Sequence, residues 1–263
     1  MSPTMPGPVR RLWRALARRE YPVVPAHVGR LDYDGAEIVV GVTSRSELTS
    51  RLRPCAKEPW TVRWLEERLR DGDVLYDIGA NVGAYALIAA AIGRPGTRVV
   101  ALEPGYASYA ALCDNVRLNG AEDVILPLPV LLGEGTGLVD LGYRDVAAGA
   151  ADHTLDPAAP AAYRQPALAY RLDDLVAQLE LPPPSLVKVD VDGAEGAVLA
   201  GAPETLARPE LRSVLVELER EGEGASTAEA ALAQAGLRLV ERTDQRSEGP
   251  LGRVWYGIFE RGR

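Results

Sequence analysis

The segment VLYDIGANVG, from Val74 to Gly83, joins a short apolar run to an acidic residue and closely spaced glycines. Such a run, bounded by a polar turn, is typical of a buried strand whose tip approaches a ligand. The residues that follow, Ala84 to Ile92, are nearly all small and apolar, which predicts a helix packed on a sheet. Strand, glycine turn and helix in this order form the first unit of a nucleotide-binding α/β fold.

The spacing of the glycines narrows the choice of nucleotide. A dinucleotide fingerprint needs the pattern G-x-G-x-x-G, so that backbone amides can close on a pyrophosphate. Counted from Gly79, the other two glycine positions hold Asn81 and Ala84, and the pattern present is D-x-G-x-N-x-G from Asp77 to Gly83. An acidic residue before the turn would repel a diphosphate and suits a cationic ligand. S-adenosylmethionine (SAM) is such a ligand, because it carries an ammonium and a sulfonium but no phosphate, and its carboxylate suits a helix N-terminus.

A second predicted strand, Arg98 to Leu102, ends in Glu103. This glutamate stands roughly 20 residues after the turn, where a ribose-binding carboxylate is expected. Two acidic strand tips therefore predict an adenosyl ligand without phosphates. The predicted cofactor-binding residues are Asp77, Gly79, Asn81, Gly83, Tyr85 and Glu103.

Each of these residues has an expected role. Asp77 would order the turn and face the methionine ammonium, while Gly79 and Gly83 would admit close backbone approach. Glu103 would accept hydrogen bonds from the ribose hydroxyls, and Tyr85 would line the methionine end. The same residues could serve only to form the turn between strand and helix, but the acidic residues at the two strand tips would then be unexplained.

The chain resembles the FkbM-type SAM-dependent methyltransferases over roughly Glu58 to Phe259, and five motifs within this range carry the resemblance. The motifs are Tyr76–Gly83, Leu102–Pro104, Asn115–Asn119, Leu172–Leu175 and Val187–Glu195. The resemblance implies SAM as cofactor and methyl transfer to a hydroxyl oxygen of a small molecule, such as a sugar or a specialised metabolite. Asp192 stands where glutamate is commoner in the family, and Gly196-Ala197 is smaller than usual. These departures leave the cofactor motif intact.

The order of predicted elements suits an α/β, Rossmann-like class I methyltransferase sheet of seven strands, with helices on both faces and an antiparallel last strand. An N-terminal extension, residues 1–57, precedes it, with a basic helix over Val9–Glu20 and a β-hairpin that turns at Asp34-Gly35. The methyltransferase domain is expected over residues 58–263. Its segment 133–169, which is rich in glycine, alanine and proline, is expected to be an irregular acceptor-binding loop.

Three further features are predicted within this domain. A third strand is predicted from Val124 to Leu132, and a strand inside the irregular segment from Leu138 to Tyr143. The spacing of Ser226 and Glu229 predicts a capping box at the start of a late helix.

Methyl transfer is an in-line displacement, so an enzyme supplies mainly orientation, but an acceptor hydroxyl must lose its proton. In this fold the tip of the fourth strand faces the transferred methyl, which makes Asp190, Asp192 and Glu195 the catalytic candidates. Asp190 could instead form a salt bridge to Lys188, which lies two residues earlier on the same strand face. Glu195 could simply stabilise the N-terminus of its own helix.

Other chemistry has weaker support. Asp190, Asp192 and Glu217 together could hold Mg²⁺ through oxygen ligands, but nothing else in the sequence supports this, and we predict no metal site. His153 lies in the acceptor segment and could act as a base, although a solvated loop histidine is the simpler interpretation.

Composition limits the partners and the compartment. A net charge of −8 argues against a general nucleic-acid binder. The chain has no run of about 20 apolar residues, and its basic N-terminus lacks the apolar core of a secretory signal. Cys55 and Cys113 are far apart, which fits a reduced, cytoplasmic protein. Composition leaves a homo-oligomer open.

Two alternatives to a methyltransferase remain open. An NAD-dependent oxidoreductase is disfavoured by the two missing glycines. A non-catalytic adenosyl-binding scaffold, which recruits a partner through the basic N-terminal helix, would show no catalytic turnover. Cofactor choice separates the first alternative from a methyltransferase, and turnover separates the second.

Overall fold

The structure is a computed structural model, and it describes residues 27–44, 47–145, 147–149, 153–154, 158–191, 193–220, 223–244 and 254–262. The basic helix predicted at Val9–Glu20 lies outside these residues. In the described part of the chain, no helix combines the length and the hydropathy needed to cross a bilayer.

The N-terminal part contains the predicted hairpin, followed by two helices. Its elements are β1 (Val28–Arg30), β2 (Val39–Gly41), a π-helical turn (Glu47–Arg51), α1 (Pro54–Lys57) and α2 (Pro59–Arg68). β1 and β2 pair antiparallel. Leu31 and Ile38 from the hairpin are buried in the same apolar cluster as Leu75 and Leu87. The hairpin therefore shares one core with the main sheet.

The remaining elements alternate strand and helix for most of their length. They are β3 (Val74–Ile78), α3 (Ala84–Ile92), β4 (Arg98–Leu102), α4 (Tyr106–Leu118), β5 (Ile125–Leu128), β6 (Leu131–Leu132), β7 (Gly137–Tyr143), β8 (His153–Thr154), β9 (Tyr163–Tyr170), α5 (Leu172–Gln178), β10 (Leu186–Val189), α6 (Glu195–Ala200), α7 (Pro203–Ala207), β11 (Ser213–Glu219), α8 (Glu223–Gln234), β12 (Leu237–Asp244) and β13 (Val254–Arg261).

The main sheet has seven strands in the order β12-β13-β11-β10-β3-β4-β5. The five strands from β11 to β5 run parallel, and β13 runs antiparallel to both of its neighbours. This confirms the predicted sheet and its antiparallel last strand. The central strands are apolar along most of their length because helices cover both faces.

Alternate residues of each central strand enter two separate cores. On β3, Leu75 packs on the face covered by α2, α3, α4 and the hairpin. Tyr76 and Ile78 pack on the opposite face, which is covered by α5, α6, α7 and α8. The strand tips meet at one edge of the sheet, where parallel α/β proteins bind their ligands.

Segment 133–169 is not the irregular loop that we predicted. It contributes to a second sheet of four strands, in the order β6-β9-β7-β8. β7 and β9 pair antiparallel from Gly137 opposite Ala169 to Tyr143 opposite Tyr163, so the predicted strand at Leu138–Tyr143 is confirmed. β9 escaped prediction because it contains Pro166 and alanines, which are poor strand formers. β6 pairs with β9 only at Ala169 and Tyr170, away from that proline.

Two predicted boundaries were wrong. The predicted strand Val124–Leu132 is split, because β5 belongs to the main sheet and β6 to the small one. Proline cannot donate a hydrogen bond to a strand ladder, and Pro129 stands between the two strands. Helix α8 begins at Glu223 and not at Ser226. Its first turn packs on α6 so closely that a β-carbon at Gly196 would lie 2.7 Å from the Gly224 carbonyl oxygen.

Candidate active site

A cavity of about 310 Å³ lies at the carboxyl ends of β3, β4 and β10, and residues of the small sheet form part of its wall. Its volume is at the lower end of the range for small-molecule sites, about 300–1,000 Å³. The lining residues are Ile78, Gly79, Asn81, Leu102, Glu103, Pro104, Val130, Leu131, Leu132, Leu141, Thr154, Asp190, Val191, Gly193 and Ala194.

The cavity brings together four of the predicted site residues. Gly79, Asn81 and Glu103 line it from the cofactor side, and Asp190 lines it from the fourth parallel strand. Asp192 lies outside the described residues. The other four predicted residues, Asp77, Gly83, Tyr85 and Glu195, do not line the cavity and have other surroundings.

The two glycines of the turn are required by contacts inside the protein. Gly79 has a φ of +80°, and a β-carbon there would lie 1.9 Å from the carbonyl oxygen of Asp190. Gly83 has a φ of +88°, and a β-carbon there would lie 2.5 Å from the Leu112 side chain. Both values of φ lie in the left-handed region that favours glycine. Close approach of a cofactor to these glycines stays a prediction.

Glu103 is buried at the tip of β4 and ties the cofactor turn to the next helix. Its Oε2 accepts the N–H of Asn81 at 2.9 Å, and its Oε1 accepts the N–H of Gly105 at 2.7 Å. A carboxylate can accept about four hydrogen bonds, so these two backbone bonds do not exclude a ligand. The side chain is thus held at the edge of the cavity, where the ribose contact was predicted.

Asn115 and Asn119 fasten the N-terminal hairpin to the site, a role that sequence reasoning missed. Asn115 accepts the N–H of Gly41 at 2.7 Å and donates to the carbonyl of Val82, in the cofactor turn, at 2.8 Å. Asn119 accepts the N–H of Val39 at 2.9 Å and donates to its carbonyl at 2.6 Å. The signal was present in the sequence, because residues four apart lie on one helix face.

Asp77 is fully buried beneath the turn and faces Lys188. Lys188 Nζ lies 3.7 Å from Asp77 Oδ1 and 3.0 Å from Asp190 Oδ2. Both carboxylate oxygens of Asp77 are buried, and the backbone of Ala86 and the Lys188 ammonium favour their charged form. Burial raises the pKa of Asp77, and Lys188 opposes that effect. The salt bridge between Lys188 and Asp190 is thus present, whereas contact of Asp77 with a methionine ammonium stays a prediction.

Tyr85 lies on the same side of the sheet as this ion pair. Lys188 Nζ sits 5.0 Å from the centre of the Tyr85 ring, a distance at which the ring attracts a cation. The Tyr85 hydroxyl donates to the carbonyl of Pro54 at 3.4 Å. Burial, and then the charge of Glu58, raises the pKa of Tyr85. The Tyr85 hydroxyl is therefore neutral, and the Tyr85 ring packs against the Lys188 ammonium.

Asp190 and Lys188 hold each other charged. Burial alone would raise the pKa of Asp190, but Lys188, Lys57 and Arg51 outweigh it and lower that pKa below its usual value. Burial works against the Lys188 ammonium, yet Asp190, Asp77 and Glu58 raise its pKa overall. The Asp190 side chain keeps 22% of its surface exposed, against 2% for Lys188. Asp190 is thus an ionised carboxylate with access to the cavity.

Glu195 shapes the turn after β10. Its Oε1 accepts the N–H groups of Val191 and Gly193, each at 3.1 Å. Burial raises the pKa of Glu195 to about 7, the backbone N–H groups oppose the rise, and the charge of Asp190 adds to it. These bonds indicate a positioning role for Glu195. Its predicted catalytic role stays a prediction.

Glu217 is a further acidic residue at the neighbouring strand tip. It follows Val216, which pairs with Val189 in the parallel register, and it lies opposite Tyr256 on β13. Burial, and then the charge of Asp190, raises the pKa of Glu217 to about 8. In the described ranges, no group of three or more histidine, cysteine or acidic residues is placed to hold a metal.

Comparison with known proteins places this arrangement in a family. The family model described as the Methyltransferase FkbM domain matches residues 77–238, more than half of the chain. The chain belongs to the FkbM methyltransferase family. The matched range contains the cofactor turn, Glu103, the small sheet and Asp190, so it includes every element that lines the cavity.

Two relatives are similar in sequence to this FkbM-family chain. The hexuronic acid methyltransferase AglP of Haloferax volcanii is 30% identical over 168 residues, which cover 64% of this chain and 65% of AglP. The chain thus spans just under two thirds of the length of AglP. The 31-O-demethyl-FK506 methyltransferase FkbM of Streptomyces tacrolimicus is 28% identical, over 67% of this chain and 76% of that protein.

Solved structures agree on the fold. Methyltransferase FkbM of Methylobacillus flagellatus KT matches with a TM-score of 0.50 at 14% identity, over 78% of this chain and 59% of that one. The Rossmann-like class I methyltransferase fold predicted from the sequence is therefore confirmed.

Proposed function

We propose that this FkbM-family chain is a SAM-dependent O-methyltransferase that acts on a hydroxyl of a small molecule, a sugar or a specialised metabolite. The observation that carries the proposal is the cavity lined by the carboxylates that follow β4 and β10, Glu103 and Asp190. The names of the two relatives, a hexuronic acid methyltransferase and a 31-O-demethyl-FK506 methyltransferase, support an oxygen acceptor.

The backbone amides of the turn fit SAM better than a dinucleotide. The N–H groups of Gly79 and Ala80 both bind the carbonyl of Leu102 at 3.0 Å. The N–H of Asn81 binds the carboxylate of Glu103. Three successive amides that a pyrophosphate would need are therefore already bonded within the protein. A ligand without phosphates, with cationic groups that suit acidic strand tips, matches this donor set.

The chain's own residues divide the work of methyl transfer. SAM, when bound, supplies a methyl group attached to a sulfonium, and the displacement leaves a neutral thioether. Glu103 holds the ribose end, and the turn from Gly79 to Gly83 supports the methionine end. Asp190 would accept the proton that the acceptor hydroxyl loses as its oxygen takes up the methyl group. General base catalysis of this kind contributes about 10²–10⁴-fold.

The remaining candidates act around Asp190. Glu195 holds the backbone N–H groups of Val191 and Gly193, and Asp192 stays a catalytic candidate on the strength of its sequence position. Leu141 and Thr154 line the cavity from the segment predicted to bind the acceptor. We assign acceptor selection to that segment, because it lines the same cavity as Gly79 and Asn81 of the predicted cofactor turn.

Calorimetric titration with SAM and with NADH tests the cofactor, on the wild type and on Glu103→Ala. We expect saturable SAM binding, no NADH binding, and a loss of about 1–3 kcal/mol in SAM affinity for the variant. Glu122→Ala, an exposed carboxylate between α4 and β5, is the matched control and should bind SAM as the wild type does. A folded protein that binds NADH, or that does not bind SAM, would contradict the proposal.

Turnover separates an enzyme from an adenosyl-binding scaffold. With SAM bound, a panel of uronic acids, glycosides and hydroxylated macrocycles is incubated with the protein, and S-adenosylhomocysteine is measured. Product that forms with one acceptor and disappears in Asp190→Asn supports the enzyme. SAM binding without product on any member of the panel would favour the scaffold.

A further inference from the structure

Both lysines of the chain lie beside the proposed active site. Lys57 and Lys188 are the only lysines in a sequence whose lysines and arginines number 29. Lys57 Nζ lies 2.7 Å from Glu58 Oε1, and Lys188 Nζ lies 3.0 Å from Asp190 Oδ2. Lysine is a compact point charge, whereas arginine is a broad planar fork. In a chain that otherwise uses arginine, this choice points to a place where a small buried cation is needed.

The register of the sheet puts Lys188 between the two halves of the site. Lys188 pairs with Asp77 across β10 and β3, and Asp190 follows two residues later on the same strand face. The Lys188 side chain is 2% exposed, and its ammonium lies over the ring of Tyr85, a residue of α3. In the described part of the chain, Lys188 is the one residue that forms an ion pair with Asp77.

Acidic groups dominate the surroundings of this ammonium. Asp77 on β3, Asp190 directly after β10 and Glu58 at the junction of α1 and α2 raise the pKa of this ammonium. The charged and titratable groups that interact with Asp190 are Lys188, Asp77, Lys57, Arg51, Glu195, Glu217, Tyr256 and Tyr85. Without Lys188, burial and the neighbouring carboxylates would favour a proton on Asp190. A protonated Asp190 could not accept the acceptor proton.

We propose that Lys188 is a positioning residue that joins the buried carboxylate beneath the cofactor turn to the carboxylate that faces the acceptor, and so keeps Asp190 ionised and aimed at the cavity. The catalytic part of this role rests on the proposed methyl transfer. The electrostatic part does not, because it concerns the charge of Asp190 in the protein without substrate.

Lys188→Met removes the charge and keeps an unbranched side chain. The titration of Asp190 is followed by NMR on ¹³C-carboxyl-labelled aspartate, and its signal is assigned with Asp190→Asn. We expect the Asp190 pKa to rise by about 1–3 units in Lys188→Met. Arg117→Met, which removes an exposed positive charge on α4, should leave that titration in place. An unmoved Asp190 pKa in folded Lys188→Met would overturn the proposal.

The pH profile of methyl transfer is the second readout. If Lys188 acts through Asp190, the acid limb of kcat/KM in Lys188→Met moves up by the same interval as the NMR pKa, and kcat recovers toward wild type above it. A loss of equal size at every pH would show a merely structural role. If no acceptor gives turnover in the wild type, the O-methyl transfer proposal fails, while the NMR titration still tests Lys188.

A second variant guards against misfolding. Lys188→Met leaves Asp77 buried without its counter-charge, which is strongly destabilising. Lys188→Met/Asp77→Asn removes both charges and relieves that cost. We expect the double variant to unfold at a higher temperature than the single variant and to show an upward movement of the Asp190 pKa that is smaller than in the single variant, because the charge of Asp77 is also gone. A double variant with the wild-type Asp190 titration would contradict the proposal.

Discussion

Gly79 lies directly against the carbonyl group of Asp190, so that a β-carbon at Gly79 would sit 1.9 Å from that oxygen. This contact joins the tip of β3, where the cofactor turn begins, to the tip of β10, which carries the proposed base. The N–H of Asp190 donates a hydrogen bond to the carbonyl of Ile78 at 3.1 Å, so the pairing of β3 with β10 extends to the tips of both strands. Direct contact between backbone atoms thus fixes the distance between the predicted cofactor turn and Asp190.

Gly79→Ala should disrupt both stability and cofactor binding. The added methyl collides with backbone, which cannot rotate away, and the φ of +80° is strained for alanine. We expect the free energy of unfolding to fall by at least about 2 kcal/mol, because strain and overpacking each cost about 1–3 kcal/mol. Urea denaturation measures the loss. Gly135→Ala, where nothing lies within 4 Å, should change stability by less than about 0.5 kcal/mol.

Asn115→Ala and Asn119→Ala should separate stability from cofactor affinity. Both side chains hold β2, but only Asn115 also reaches the carbonyl of Val82 in the cofactor turn. Each variant should lose about 1–3 kcal/mol of stability, because buried backbone groups lose their partners. We expect SAM affinity to fall in Asn115→Ala and to stay near wild type in Asn119→Ala, as measured by calorimetry. Equal affinities in the two variants would refute the link from Asn115 to the turn.

The sequence was sufficient for the main sheet because its central strands are covered on both faces and therefore form continuous apolar runs. The turn from Asp77 to Gly83 and the carboxylate Glu103 were equally accessible, because their spacing is local to one strand-turn-helix unit. The small sheet could not be predicted from the sequence. Its strands β7 and β9 pair across a connection of low β-propensity, and Pro166 hides the second strand.

The buried ion pair shows the same limit within the site. The pairing of Lys188 with Asp190 could be predicted, because residues two apart share a strand face. The pairing of Lys188 with Asp77 depends on the register between β10 and β3, which no local pattern reveals. The contact of Asp77 with Lys188 therefore emerged only from the packing, and its predicted contact with the methionine ammonium stays a prediction.

Glu217→Gln should change how stability depends on pH. The folded pKa of Glu217 is raised to about 8 by burial and by Asp190, from an ordinary value of 4.5. Between these values the folded protein holds a proton that the unfolded chain has lost, so stability falls as pH rises through this window. Glutamine removes this loss. We therefore expect the free energy of unfolding to fall less between pH 5 and pH 8.5 in the variant than in the wild type. The difference between the two falls should exceed about 1 kcal/mol.

Urea denaturation at the two pH values measures this difference. Glu195, whose pKa is raised to about 7, acts with the same sign, so the variant should keep a reduced decline. A decline as steep as that of the wild type would contradict the assignment of Glu217.

Glu195→Gln and Glu195→Ala should distinguish positioning from proton transfer. The amide oxygen of glutamine can still accept the N–H groups of Val191 and Gly193, whereas alanine leaves both without this partner. If Glu195 only shapes the turn, Glu195→Gln keeps most of the methyl transfer rate and Glu195→Ala loses it. A large loss in Glu195→Gln, with stability retained, would instead support the predicted catalytic role.

Asp190→Asn should abolish proton transfer and spare the cofactor. Asparagine keeps the shape of the side chain and a hydrogen bond to Lys188, but it cannot take up the acceptor proton. We expect methyl transfer to fall by about 10²–10⁴-fold, measured as S-adenosylhomocysteine released from the best acceptor of the panel. SAM affinity should stay within a few fold of wild type, because the proposed role of Asp190 is toward the acceptor and not the cofactor. Full activity in Asp190→Asn would move the base to another residue, with Asp192 the next to test.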